Sequence, residues 1–84
     1  MKLNSILEGI DIVNIYNNSD ADILHITNNS RECRNGSLFV AVRGYQTDGH
    51  KYMESAFKNG AVAIMCEEYN PKIPCVQIVV SSSR

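Results

Sequence analysis

Two short polar stretches hold most of the residues that could recognise a ligand, Asn28-Asn29-Ser30-Arg31 and Arg43-Gly44-Tyr45-Gln46-Thr47-Asp48-Gly49-His50. In the second, two glycines free the backbone and Tyr45 offers a ring able to stack on a planar base. Gln46 offers an amide that pairs with an amide-like edge such as that of uracil, and backbone N–H groups before a helix suit phosphate oxygens. The same residues also suit plain architecture, with Gly44 and Gly49 in a tight connection and Thr47 or Asp48 capping a helix. For Ser30 the residue type alone gives a turn hydroxyl, and Arg31 reads equally as a solvated charge or a partner for an acid.

Other reactive side chains are scattered. His25 and His50 have no second histidine or paired cysteine at ligand spacing, so neither is assigned to a metal. Cys33 lies beside Arg31 and Arg34, which could depress its pKa, yet no His or Asp arrangement supplies a base, and a bystander thiol is the simpler reading. The pattern G-x-x-x-x-G-K-[ST] and other recognisable ATP phosphate loops are missing from the 84 residues, so this chain by itself is not expected to consume ATP.

Chain length and composition set the scale. At 84 residues and 44% hydrophobic, the sequence suits one small core and a single domain spanning 1–84, which favours a shallow, loop-built site. Eight basic residues against nine acidic ones leave no charged patch of the kind nucleic acid or a membrane surface would need. Cys33, Cys66 and Cys75 form an odd set without a C-x-x-C pair, pointing to a reducing cytoplasm, and no signal peptide or membrane span is expected.

The elements that must position the polar stretches follow from hydrophobic spacing. Leu3, Ile6 and Leu7 before Gly9 predict a short amphipathic helix, and Ile10, Ile12 and Ile15 a first strand. Alternation of Leu24 and Ile26 against His25 and Thr27 predicts a strand over 22–27, closed by Asn28-Asn29-Ser30. The apolar run 38–42 between Gly36 and Gly44 predicts a buried, central strand. Tyr52, Met53, Ala56 and Phe57 fall on one face of a helix stopped at Asn59-Gly60. Two more strands are predicted at 61–65 and 76–80, separated by Pro71 and Pro74. Leu38 through Met65 is then a β-α-β unit with parallel strands, and the fold class is α/β. In such sheets ligands gather beyond the carboxyl ends of strands, where both polar stretches are expected. The ending Ser81-Ser82-Ser83-Arg84 directly after a strand reads as a fragment cut at a linker.

Three blocks carry a family resemblance: Ile26 through Arg31, Gly36 through Gly44, and Asp48-Gly49-His50. Together they resemble the pattern "DSR-x-x-x-x-G-x-LFVA-x-x-G-x-x-x-DGH" of MurE and MurF ligases, and Ala56 with Gly60-Ala61-Val62-Ala63 matches the family's "A-x-x-x-GA-x-A". The Met1-Lys2-Leu3 opening with Leu7 is similar to MurE starts. The resemblance implies a small MurE/MurF N-terminal-domain-like fold, with a mixed sheet, a β-α-β unit and flanking helices. It also implies a task, holding the UDP end of UDP-N-acetylmuramoyl-L-Ala-D-Glu for ATP-dependent amino-acid ligation in peptidoglycan precursor synthesis.

Carried over residue by residue, Ser30 matches a serine that contacts the nucleotide-sugar substrate, and Asn28 a position lining the uridine. Tyr45, Gln46 and Thr47 match the uracil-contacting tripeptide. Asn29 stands where the family usually has Asp, which removes a charge and predicts a local adjustment. The resemblance assigns ATP and Mg to a parent protein whose central and C-terminal domains this chain does not include, with no cofactor and no catalytic residue here. A MurF-type domain and a stand-alone nucleotide-sensing or interaction module are the alternative readings.

Overall fold

A computed structural model describes residues 1–41 and 48–81. Five strands form one mixed sheet in the order β1-β5-β4-β3-β2, with β1 at Ile12–Tyr16, β2 at His25–Thr27, β3 at Ser37–Val40, β4 at Ala61–Cys66 and β5 at Val76–Val80. Strands β2, β3, β4 and β5 run parallel, and β1 alone is antiparallel, beside β5. Two short helices, α1 at Leu3–Ile6 and α2 at Met53–Lys58, complete the α/β unit.

The sheet separates two apolar clusters, because alternate side chains of a strand point to opposite faces. On one side Leu38, Ala63, Ile78 and Val80 pack with Leu3 and Leu7 of the first helical turn. On the other, Phe39, Ile64 and Cys66 pack with Met53 and Ala56 of α2 and with Ile73. The pairing of β3 with β4 shifts by one residue between Ser37 and Leu38, so Ala61 joins the cluster under α2 while Ala63 faces α1. A one-residue bulge of this kind exchanges faces along a strand.

Local signals explain the ends of the elements. Gly9, at φ +79°, takes a left-handed conformation that terminates the first helical turn at little steric cost. Asp48 caps the 3-10 turn Gly49–Tyr52 by accepting the His50 N–H at 3.0 Å, and that turn leads directly into α2. Asn59 and Gly60 follow α2, and Gly60, at φ +117°, begins the approach to β4.

Three expectations are corrected. The central strand is β4, with β3 one place nearer the edge. The strand expected over 22–27 is reduced to His25–Thr27, because Asp22 and Ile23 pair with the first residues of the chain: Lys2 bridges Asp22, and the Ile23 N–H donates to the Met1 carbonyl at 2.6 Å. Its faces are also reversed, with Leu24 71% and Ile26 52% exposed while Thr27 is buried. Thr27 turns inward because its hydroxyl is used in the turn that follows.

Parallel neighbours β4 and β5 are joined by residues 67–75 without a helix. Gln77, fully buried in β5, substitutes for one by binding this connection. Its Oε1 accepts the Asn70 N–H at 2.8 Å, and its Nε2 donates to the carbonyls of Asn70 and Ile73, each at 2.8 Å. A buried amide is tolerated when its donors and acceptor are satisfied in this way. Tyr69 of the same connection stacks on Tyr16 with ring centroids 3.7 Å apart.

Candidate substrate-binding edge

Because β2 and β3 are parallel and hydrogen-bonded, their carboxyl ends, Thr27 and Val40, lie at one edge of the sheet. The segment after Thr27 is a 3-10 turn, Ser30–Glu32, entered through Asn28 and Asn29. Asn29 builds it from both sides. Its backbone N–H donates to Thr27 Oγ1 at 3.0 Å, and its Oδ1 accepts the Arg31 N–H at 3.0 Å. Thr27 Oγ1 in turn donates to Glu32 Oε1 at 3.0 Å, closing the turn across five positions. The amide oxygen of Asn29 thus does the capping work that a carboxylate at this position would do.

Beside the turn lies an open depression lined by Ile26, Thr27, Asn28, Glu32 and Val40. Its polar groups are the Asn28 amide, the Thr27 hydroxyl and the Glu32 carboxylate, set beside the apolar side chains of Ile26 and Val40. That combination suits a flat, uncharged hydrogen-bonding group better than a phosphate, which the Glu32 charge would repel.

Asn28 is exposed and lines the depression. Ser30 is buried and does not line it. Ser30 is held by its backbone, whose carbonyl accepts from Asn59 Nδ2 at 2.8 Å and from the Cys33 N–H at 3.3 Å. Among the described residues, none engages the Ser30 hydroxyl, and the buried side-chain polar atom left without a partner is His25 Nε2. Tyr45, Gln46 and Thr47 lie outside the described residues.

Residue types alone did not single out Thr27, Glu32, Val40 or Asn59. A threonine closing a strand with a glutamate five positions on was the available signal for the first two. Asn59 read only as a helix stop, since nothing local shows that its side chain reaches back 29 residues to Ser30.

His50 has a structural place. Its Nδ1–H donates to Asp48 Oδ1 at 2.7 Å, and its Nε2 accepts the backbone N–H groups of Glu67 at 2.8 Å and Glu68 at 3.3 Å. Both ring nitrogens are committed, which fixes the tautomer and ties the start of α2 to the end of β4. His25 meets Arg34 Nη2 through Nδ1 at 3.5 Å. Among the described residues no group of three or more His, Cys, Asp or Glu side chains is arranged to hold a metal ion. For ATP, the residues present do not fit: the sequence carries no glycine-rich phosphate loop followed by Lys and Ser or Thr.

The thiols are not activated. Burial, and then the Glu32 charge, push the Cys33 pKa up, in keeping with the reading of a bystander thiol. Burial also pushes Cys66 and Cys75 up to about 11. All three cysteines are free.

The family model described as "Mur ligase family, catalytic domain" matches residues 22–83, which includes β2, the turn after it and the whole β3-α2-β4 unit. The chain belongs to the Mur ligase family. Its relatives are ligases of peptidoglycan precursor synthesis. The chain is 38% identical over its full length to UDP-N-acetylmuramoyl-L-alanyl-D-glutamate--2,6-diaminopimelate ligase of Clostridioides difficile, and covers 17% of that protein. It is 42% identical to the enzyme of the same name from Parabacteroides distasonis, aligning over 99% of the chain and 18% of the relative. This Mur ligase chain therefore spans less than a fifth of the length of these relatives.

Among solved structures, MurF of Thermotoga maritima in complex with ADP superposes with a TM-score of 0.66 at 36% identity, over 79% of this chain and 15% of that one. A crystal structure of MurF from Acinetobacter baumannii gives a TM-score of 0.68 at 26% identity, over 73% of this chain and 13% of that one. Sheet order and family membership agree with the small MurE/MurF-like fold expected from the motifs. No helix among the described residues is long and apolar enough to cross a membrane.

Proposed function

We propose that this chain is the N-terminal substrate-binding domain, residues 1–84, of a MurE-type ligase, and that it binds the UDP end of UDP-N-acetylmuramoyl-L-Ala-D-Glu. The observation that carries the reading is the convergence of the turn after β2 with the end of β3, around a depression whose polar groups suit an uncharged base or sugar. Asn28 and Ser30 contact the uridine and sugar side, and Tyr45, Gln46 and Thr47 contact uracil. The parent protein ligates a diamino acid to this substrate in the cytoplasm. ATP and Mg act there on its central domain, and its C-terminal domain selects the amino acid. Support comes from the relatives, whose names specify UDP-N-acetylmuramoyl-L-alanyl-D-glutamate and 2,6-diaminopimelate.

Solved MurF structures superpose on the chain, which favours one second reading, a MurF-type domain taking a longer muramoyl peptide. Both readings share the uridine end and differ in the peptide.

The test is an NMR titration of the labelled chain with UDP, UDP-N-acetylmuramoyl-L-Ala-D-Glu and, as a control, ATP. Few contacts and the cost of association lead to roughly millimolar affinity for an isolated small domain, about −4 kcal/mol. Uridine-dependent amide shifts confined to residues 28–31 and 45–47, and diminished in Ser30→Ala and Gln46→Ala, are the expected result. Shifts elsewhere, or equal shifts with ATP, would overturn it.

A further inference from the structure

The turn that carries Ser30 is made by local bonds, but its placement against the rest of the fold is long-range. Asn59, the residue capping the C-terminus of α2, donates from Nδ2 to the Ser30 carbonyl at 2.8 Å. The next residue, Gly60, lies so close to the chain leaving that turn that a Cβ there would sit 2.6 Å from the Asn35 backbone N and 2.7 Å from the Arg34 carbonyl carbon. The end of α2 is therefore clamped on the segment from Ser30 to Asn35 by a hydrogen bond at one end and backbone contact at the other. Ser30 itself keeps a hydroxyl that no described residue engages.

From this geometry we infer that Asn59 is a positioning residue for substrate. By holding the Ser30 carbonyl it fixes the backbone at that residue, and with it the direction of the Cα–Cβ bond that carries the hydroxyl. This deepens the uridine-binding reading and rests on it. A site whose polar groups are held in place before the ligand arrives loses less entropy on binding. Asn59 touches no part of the depression, being absent from its lining, so its effect passes through Ser30.

Three variants of the whole 84-residue chain test the inference against a merely structural role. Asn59→Asp has nearly the same shape and no amide donor. Asn59→His restores a ring N–H close to the position of Nδ2, at a residue exposed enough to accept the ring. Ser30→Ala removes the hydroxyl. Affinity for UDP-N-acetylmuramoyl-L-Ala-D-Glu is read from NMR shifts at a temperature where every variant is folded, so lost stability alone does not move it. The expected result is binding weakened about two- to tenfold in Asn59→Asp, the size of one neutral hydrogen bond, and restored in Asn59→His. If Asn59→Asp binds like the wild-type chain while Ser30→Ala is weakened, the positioning role is overturned and the uridine reading stands. If Ser30→Ala also binds unchanged, the assignment of Ser30 falls, and the role of Asn59 falls with it.

Discussion

His50 and Asp48 form a closed pair: the Nδ1 of His50 lies 2.7 Å from Asp48 Oδ1, while the same carboxylate oxygen accepts the His50 backbone N–H at 3.0 Å. On its far side the ring receives two N–H groups from the chain leaving β4. The Asp-Gly-His block is thus a joint between the start of α2 and residues 67–68, and its first duty is architectural. His50→Ala would leave both N–H groups without that acceptor and is expected to destabilise the chain by about 1–3 kcal/mol. Urea unfolding checks this, and a change within the roughly 0.5 kcal/mol typical of surface substitutions would show that the joint contributes little.

Gln77 gives a stronger expectation. Gln77→Leu keeps an approximate volume but strands the Asn70 N–H and the Ile73 carbonyl, while the Asn70 carbonyl keeps the Ile73 N–H at 3.2 Å. A cost of about 2–4 kcal/mol follows from unsatisfied buried groups. Amide hydrogen exchange should show residues 68–75 losing protection before β3 and β4 do; uniform loss across the sheet would contradict it.

Two glycines should respond differently to alanine. Both have positive φ, but a Cβ on Gly9 meets nothing within 4 Å, whereas one on Gly60 collides with the backbone of Arg34 and Asn35. Gly9→Ala should cost about 1 kcal/mol of backbone strain, and Gly60→Ala distinctly more. Thermal melts of the two variants give the order directly, and equal losses would mean that the Gly60 contact relaxes freely.

The thiols supply a pH dependence. Cys66 and Cys75 rise from 9.0 to about 11 in the folded chain, so each binds its proton more tightly folded than unfolded. Their contribution is fully present below pH 9.0 and is lost as pH rises toward 11. A double Cys66→Ala, Cys75→Ala variant should show a shallower fall in stability across that window, although its absolute stability is lower. An unchanged slope would place the alkaline loss elsewhere.

At Asn29, where the family pattern has Asp, the capping bond uses only one side-chain oxygen. Asn29→Asp should therefore fold as well as the wild-type chain, and Asn29→Ala should lose about 1 kcal/mol. Chemical denaturation of the pair checks this; loss of stability in the Asp variant would show that the amide nitrogen matters.

Much was determined by the sequence alone. Apolar spacing fixes five strands and two helices, because the periods of burial differ between them and are written in residues such as Leu38-Phe39 and Met53, Ala56. Glycines and prolines mark the ends, and the spacing from Ser30 through Gly36 to Asp48-Gly49-His50 identifies the ligase family. Tertiary structure decided what depends on partners distant in the chain. Periodicity cannot reveal that Ile23 pairs with Met1 and leaves Leu24 and Ile26 outward, or that the sheet centres on β4. Nor can it show Asn59 reaching Ser30, Gln77 organising the connection before it, or burial and Glu32 raising the Cys33 thiol. Each is a contest between local preference and a long-range contact, and only the folded chain brings both contestants together.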